Sequence, residues 1–347
     1  CVALHIELFC GAMGVKKCTS SKQMDKRRTW KAGGRVALTV AVCLTMQACQ
    51  TLPPALPKTP SRALVAPEST RLVALSKRVQ TSGGAEYAGV LTIPGNKEAL
   101  DYRLALLDEA QSSVDIMMFF WLKDLAGRVL LERVFQAADR GVRVRLLLDD
   151  LVLGLSYNDK ELAAINAHPN IEVRIYNPFH RRGGLLTRSL EMLANHEEKN
   201  QRMHNKAIIV DHSWAILSGR NVGSHCFGYG KKYNLIDLGV ITSGLVVHEI
   251  SGAFDQYWNS GPSYDVAAFP KSSLDAFRAE SKAIIEKMNR KAPRAIAIQK
   301  QDGLAVLTRV AREMYRGQVS YVADAPDVAC SSRPVFDAAL EMAAKSQ

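Results

Sequence analysis

Apolar positions between residues 96 and 176 switch repeatedly between helical and strand spacing. Residues 96–111 put Leu100, Leu104 and Leu107 on one helical face, and Asn96, just after Pro94-Gly95, is placed to cap the first turn. Residues 114–121 are apolar except for Asp115, which suits a strand covered on both faces. Residues 125–140 return to helical spacing, with Gly141 placed to end that helix. A strand over 142–148 closes on Asp149-Asp150; a short helix over 158–167 and a strand over 171–176 follow. This alternation predicts an α/β fold with a mostly parallel sheet.

Further along, residues 206–211 and 214–217 are two apolar runs separated by a short polar break, the pattern of a hairpin. Residues 235–242 read as another strand, and 246–258 and 274–290 as helices. Residues 179–200 are polar and irregular. There Arg181, Arg182 and Arg188 stand beside Leu185, Leu186 and Leu190, a mixture open to two readings: a lipid-facing segment, or an ordinary surface helix and loop.

The hairpin carries the candidate chemistry. His204, Lys206 and Asp211 are spaced H-x-K-x4-D, and Ser218-Gly219-Arg220-Asn221 follows the second run. Side chains two apart on a strand share a face, so His204 and Lys206 point the same way if the strand starts by residue 204. The second run returns Ser218 and Asn221 to the end where His204 lies. An imidazole, an ammonium and an amide at one spot supply a nucleophile or base, a fixed positive charge and donors to phosphoryl oxygens. The Asp149-Asp150 pair reads as a strand end and turn rather than as a metal site.

The segment resembles the HKD motif of the phospholipase D superfamily, with Ser218 where that family usually has Gly. Residues 102–110, 137–150 and 168–179 are similar to its bacterial cardiolipin-synthase-like branch, and the resemblance runs from about residue 85 to the end of the chain. It implies a mixed, mostly parallel sheet flanked by helices, forming the first half of a duplicated two-domain architecture. It also implies displacement at a phosphodiester through a covalent phosphohistidine, with no cofactor and no metal. His204, Lys206 and Asp211 then form the catalytic set, with Asp211 acting from the strand's far end. Lys206, Ser218 and Asn221 hold the phosphate.

Charge and cysteine usage refine this picture. The chain of 347 residues carries a formal net charge of +11, but eight basic and two acidic residues fall within its first 49 positions. The remaining excess is mild and argues against nucleic acid as the partner. Of seven cysteines, Cys1, Cys10, Cys18 and Cys43 precede the expected mature start; Cys49, Cys226 and Cys330 have no metal-ligand spacing. A basic stretch from Met24, a short apolar run over 36–46 and Gln47-Ala48-Cys49 make a secretory signal. Ending at Ala-Cys, it resembles a bacterial lipobox, implying lipidation of Cys49 and a membrane-anchored lipoprotein facing the periplasm; Gln50 favours the outer membrane. An ordinary signal peptide with an incidental Cys is the alternative.

The expected organisation is therefore a leader over 1–23, a signal peptide over 24–48 and a proline-rich tether over 49–84. A first phospholipase D-like domain over 85–262 and a connector over 263–332 follow, and 333–347 begin a second domain. Only one H-x-K-x4-D is present, and residues 334–346 echo 100–112, so the chain reads as an N-terminal fragment. The missing half would act in trans, or two copies would pair. The expected activity is a phosphatidyltransferase or phospholipase, cardiolipin-synthase-like, with a phospholipid and the membrane surface as partners. The alternatives are a phosphodiesterase or nuclease of the same superfamily and an inactive lipid-binding lipoprotein.

Overall fold

The computed structural model describes residues 51–81, 87–291, 302–326 and 335. The expected leader, the signal segment and Cys49 lie outside the described residues, as does nearly all of 333–347. The described chain contains α1 (Arg71–Thr81) and β1 (Ala88–Ile93), then α2 (Asn96–Glu109), β2 (Ser113–Met118), α3 (Leu125–Asp139) and β3 (Arg143–Asp149). Next come α4 (Asp150–Ser156), α5 (Asp159–Asn166), β4 (Ile171–Tyr176), α6 (Leu185–Ala194) and α7 (His196–Lys199). The hairpin β5 (Ala207–Val210) and β6 (Trp214–Ser218) precedes β7 (Gly239–Ser243), α8 (Val246–Asn259) and β8 (Ser263–Asp265). α9 (Leu274–Lys291), α10 (Gly303–Glu313) and β9 (Tyr315–Gly317) complete the order.

All nine strands join one sheet in the order β8-β4-β3-β2-β5-β6-β7-β1-β9. Only β2–β3 and β3–β4 pair in parallel; the other neighbours are antiparallel. The sheet is mixed, and the expectation of a mostly parallel one is corrected. Parallel neighbours need a crossover, which α3 and the α4–α5 pair provide. α2 also crosses over, but the antiparallel strands β5, β6 and β7 lie between β1 and β2. One consequence positions the site: β2, β3, β4 and β6 all end at the sheet edge where β5 and β7 begin.

Both faces of the sheet are buried, which explains apolar runs without alternation. Ile116, Leu146, Ile208 and Ile216 face one core with residues of α2 and α3. Met117, Leu147, Ile209 and Ala215 face a second, with Val247, Phe254 and Trp258 of α8. This second face also buries charge. Arg145 makes a bidentate pair with Asp115 at 2.7 Å per bond, reaches Asp255 at 2.7 Å and stacks over Phe254. Arg174 stacks 4.4 Å from the Trp258 ring centroid.

These arginines also bind the segment expected to be a loose tether. Arg145 donates to the Ser61 carbonyl and Arg174 to the Thr59 carbonyl, while Lys58 donates to the carbonyls of Ser260, Gly261 and Ser263. Residues 51–63 are thus a docked strap, and α1 follows it. Four prolines keep this strap from folding into helix or sheet of its own, and its backbone groups are satisfied by tertiary partners instead.

The β5–β6 turn is fixed at the opposite sheet edge. Asp211 and His212 both sit at φ 51°, and the buried Asp211 carboxylate accepts from the N–H groups of Gln111, Ser112 and Ser113 at 2.7–3.2 Å. Asp211 thereby ties the hairpin to the start of β2. Replacing it by Ala leaves three donors without their acceptor. Asp211→Ala should therefore lose about 3 kcal/mol of stability, against about 1 kcal/mol for Asp211→Asn, which keeps one acceptor oxygen. Urea unfolding followed by circular dichroism measures the difference; equal midpoints for Asp211→Ala and the parent chain would contradict it.

Candidate active site

β5 and β6 pair with Ala207 opposite Leu217, and the Ser218 N–H donates to the Lys206 carbonyl at 3.2 Å. The two parts of the motif are therefore held side by side at the strand-end edge. His204 is exposed, and its ring meets that of Phe119 edge-on, with centroids 4.7 Å apart. Lys206 is buried; its Nζ lies 5.4 Å from the same ring and donates to the His204 carbonyl at 2.5 Å. Phe119, the first residue past β2, is thus a common platform for the imidazole and the ammonium.

Burial sets the electrostatics. It pushes the Lys206 ammonium down to about 8, against the opposing pull of Asp237 and Asp149. Burial and then the Lys206 charge hold the His204 imidazole below its ordinary value, which favours a neutral ring with a free lone pair.

Past β6 the chain continues alongside the end of β2. Asn221 Oδ1 accepts from the Phe120 N–H at 3.0 Å, which leaves the amide NH2 as a donor. Val222 and Phe120 exchange a further backbone bond. Ser218 Oγ accepts from the Arg220 N–H, shaping the turn. Arg220 itself is buried and points away, toward the carbonyls of Ile93 and Pro94. Gly219 lets the Asp237 carboxylate come close, since a Cβ there would lie 2.4 Å from it.

Asp149 and Asp150, adjacent and both buried, divide two tasks. Asp149 accepts from the N–H groups of Leu151 and Met203, so it caps α4 and holds the residues leading into His204. Its carboxyl is pushed up to about 7 by burial, although Arg202 and those N–H groups pull the other way. Asp150 pairs with Arg182 and Arg188 and accepts from the Phe179 N–H.

His204, Lys206, Ser218 and Asn221 thus come together at one edge. Asp211 does not; it stands at the opposite end of β5, bound to backbone N–H groups of residues 111–113. The sequence reading also put it at that far end, and there it fastens the turn to the start of β2. Sequence reasoning missed Phe119, Asp237 and the positioning role of Asp149. Asp149 ends a strand that the periodicity revealed, so that signal was available; Asp237 lies in a segment read as strand that is a loop.

Residues 104–258 match the family model described as cardiolipin synthase, PLD-like domain. Cardiolipin synthase C of Escherichia coli is 38% identical over 171 residues, covering 49% of this chain and 35% of that protein. An uncharacterized protein of Helicobacter pylori is 35% identical over 181 residues, covering 52% of this chain and 36% of its own length. The match therefore spans about a third of the length of these relatives. Among solved structures, NucT from Helicobacter pylori is similar at a TM-score of 0.38 and 14% identity, covering 52% of this chain and 99% of that one. The matched span contains β2 through α8, and with them the hairpin, the His204–Phe119–Lys206 cluster and the return of Asn221 to the same edge. Residues 104–258 are accordingly similar to the phospholipase D-like domain of cardiolipin synthases.

Proposed function

We propose that this domain catalyses displacement at the phosphodiester of a phospholipid, as one half of a phosphatidyltransferase or phospholipase related to cardiolipin synthases. The observation that carries the reading is an exposed imidazole beside a buried, partly neutralisable ammonium on one aromatic platform. A nitrogen of His204 attacks phosphorus and forms a P–N bond while the P–O bond to the leaving alkoxide breaks. Lys206 and the Asn221 amide stabilise the non-bridging oxygens as their charge rises, and Ser218 shapes the turn beneath them. An alcohol then displaces the histidine to give a new diester; water in its place gives a phosphatidate.

The leaving oxygen needs a proton, and the incoming hydroxyl must lose one. Among the described residues no second imidazole contacts His204. A second motif, from another half or a second copy of this chain, fills that role in this proposal. General-acid help of this kind contributes about two to four orders of magnitude in rate. A nuclease-like reading is the rival, and the mild charge outside the N-terminal region stands against it.

Three outcomes test the proposal. The 347-residue chain should turn over a soluble aryl phosphodiester only weakly at high dilution, and its rate per chain should rise where copies associate. His204→Ala should remove that turnover; dilution-independent turnover that survives in His204→Ala would refute the assignment. With matched assays on phosphatidylglycerol vesicles and single-stranded DNA, lipid product should form in preference; preferential DNA cleavage would favour the nuclease.

The third outcome concerns pH. Lys206 is charged below its pKa of about 8 and loses its charge above it. Competitive binding of a diester of constant charge should therefore weaken as pH rises through that value, by about ten-fold per pH unit at most. Lys206→Arg, charged throughout the range, should bind without that break. An identical break in Lys206→Arg would assign the titration to another group.

A further inference from the structure

α6 is inverted with respect to an ordinary surface helix. Leu185, Leu186, Leu190 and Leu193 are 66%, 62%, 53% and 76% exposed, whereas its two charged residues, Arg188 and Glu191, are buried. Arg188 donates to the Asp150 carbonyl at 3.2 Å, and Glu191 accepts from the N–H groups of His180 and Arg181 at 2.7 and 2.8 Å. Gly154 of α4 makes room for this arrangement, since a Cβ there would lie 2.1 Å from the Arg188 guanidinium. The helix is therefore held by its polar side, with the leucines left outward. A water-facing helix gains nothing from that orientation; four outward leucines on three turns mark a contact surface.

A second apolar segment lies on the other flank of the site. In the loop before β7, Tyr233, Ile236 and Leu238 are exposed, Ile236 at 92%, while the backbone is pinned by the Leu235 N–H donating to the His225 carbonyl and the Leu235 carbonyl accepting from Asn96. α6 follows β4 and this loop precedes β7. In the sheet order the strands carrying His204 and Asn221 lie between them, and all these ends share one edge. Exposed Arg181, Lys231 and Lys232 adjoin the two apolar segments.

We propose that α6 and the 231–238 loop are a docking surface for an anionic phospholipid bilayer. The leucines and Ile236 would enter the headgroup–acyl boundary, the basic residues would meet lipid phosphates, and His204 would face the plane in which phosphodiesters lie. A protein partner would need to match two separate apolar segments across an exposed imidazole. A membrane offers apolar contact, negative charge and phosphodiester at one depth. The proposal deepens the phospholipid reading above and rests on it for the chemistry at His204.

The test is hydrogen–deuterium exchange of the 347-residue chain, with and without vesicles of phosphatidylglycerol and phosphatidylethanolamine, alongside lipid turnover. Exchange over 185–194 and 231–238 should slow by about ten-fold or more on vesicles, with no change at the 211–213 turn on the opposite edge. The Leu186→Ser/Leu190→Ser/Leu193→Ser variant should lose protection in both segments while keeping the parent's unfolding midpoint and its turnover of a soluble phosphodiester; protection retained in that variant would overturn the proposal. Chain that sediments with vesicles without protection of these segments would also overturn it. So would equal protection without vesicles that grows with protein concentration, which would assign the face to a second copy. Protection with no lipid product would keep the docking surface and refute the phospholipid chemistry; lipid product without protection would do the reverse.

Discussion

Two adjacent carboxylates buried at the end of β3 govern the architecture around the site. A buried carboxylate is costly unless donors surround it, and both are surrounded. Asp149 takes the backbone N–H of Met203, and Asp150 takes the guanidinium groups of Arg182 and Arg188. Because Asp149 closes β3 and Asp150 opens α4, one strand end fixes two different segments. One is the approach to His204; the other is the loop and helix that leave β4. The position of the imidazole and the outward turn of the α6 leucines thus share one origin.

The hairpin is anchored with comparable economy at both ends, by different means. At the far edge Asp211 fastens it to the start of β2 through backbone N–H groups. At the near edge Asn221 fastens the continuation of β6 to Phe120, just beyond the end of β2. β2 therefore serves as the reference against which the motif is placed, and Phe119 at its tip meets both His204 and Lys206. The motif spacing has a physical meaning in these terms. Four apolar residues carry the chain across the sheet between a site end and a turn end, and the aspartate belongs to the turn.

Helical and strand periodicity located α2, α3, α5, β3, β4, the hairpin, α8 and α9 to within a few residues, because each buries a regular stripe or face in a core. Several elements it did not reveal lack that stripe. α4 is short and capped by Asp149, α6 carries its leucines outward, and β8 and β9 have three residues each. The strap at 51–63 has no period; its order comes from arginines and carbonyls distant in the chain.

By itself the sequence determined the α/β class, the strands that meet at the edge, and the grouping of His204, Lys206, Ser218 and Asn221. These follow from local spacing, since a hairpin returns its second strand to the point where the first began. Only the tertiary structure decided that the sheet is predominantly antiparallel, that Asp211 is bound by the N–H groups at the start of β2, and that Phe119, Asp149 and Asp237 complete the surroundings of the imidazole and ammonium. Each of those depends on which strands become neighbours and how deeply a charge is buried. Neither property is encoded in the spacing of residues along a single segment.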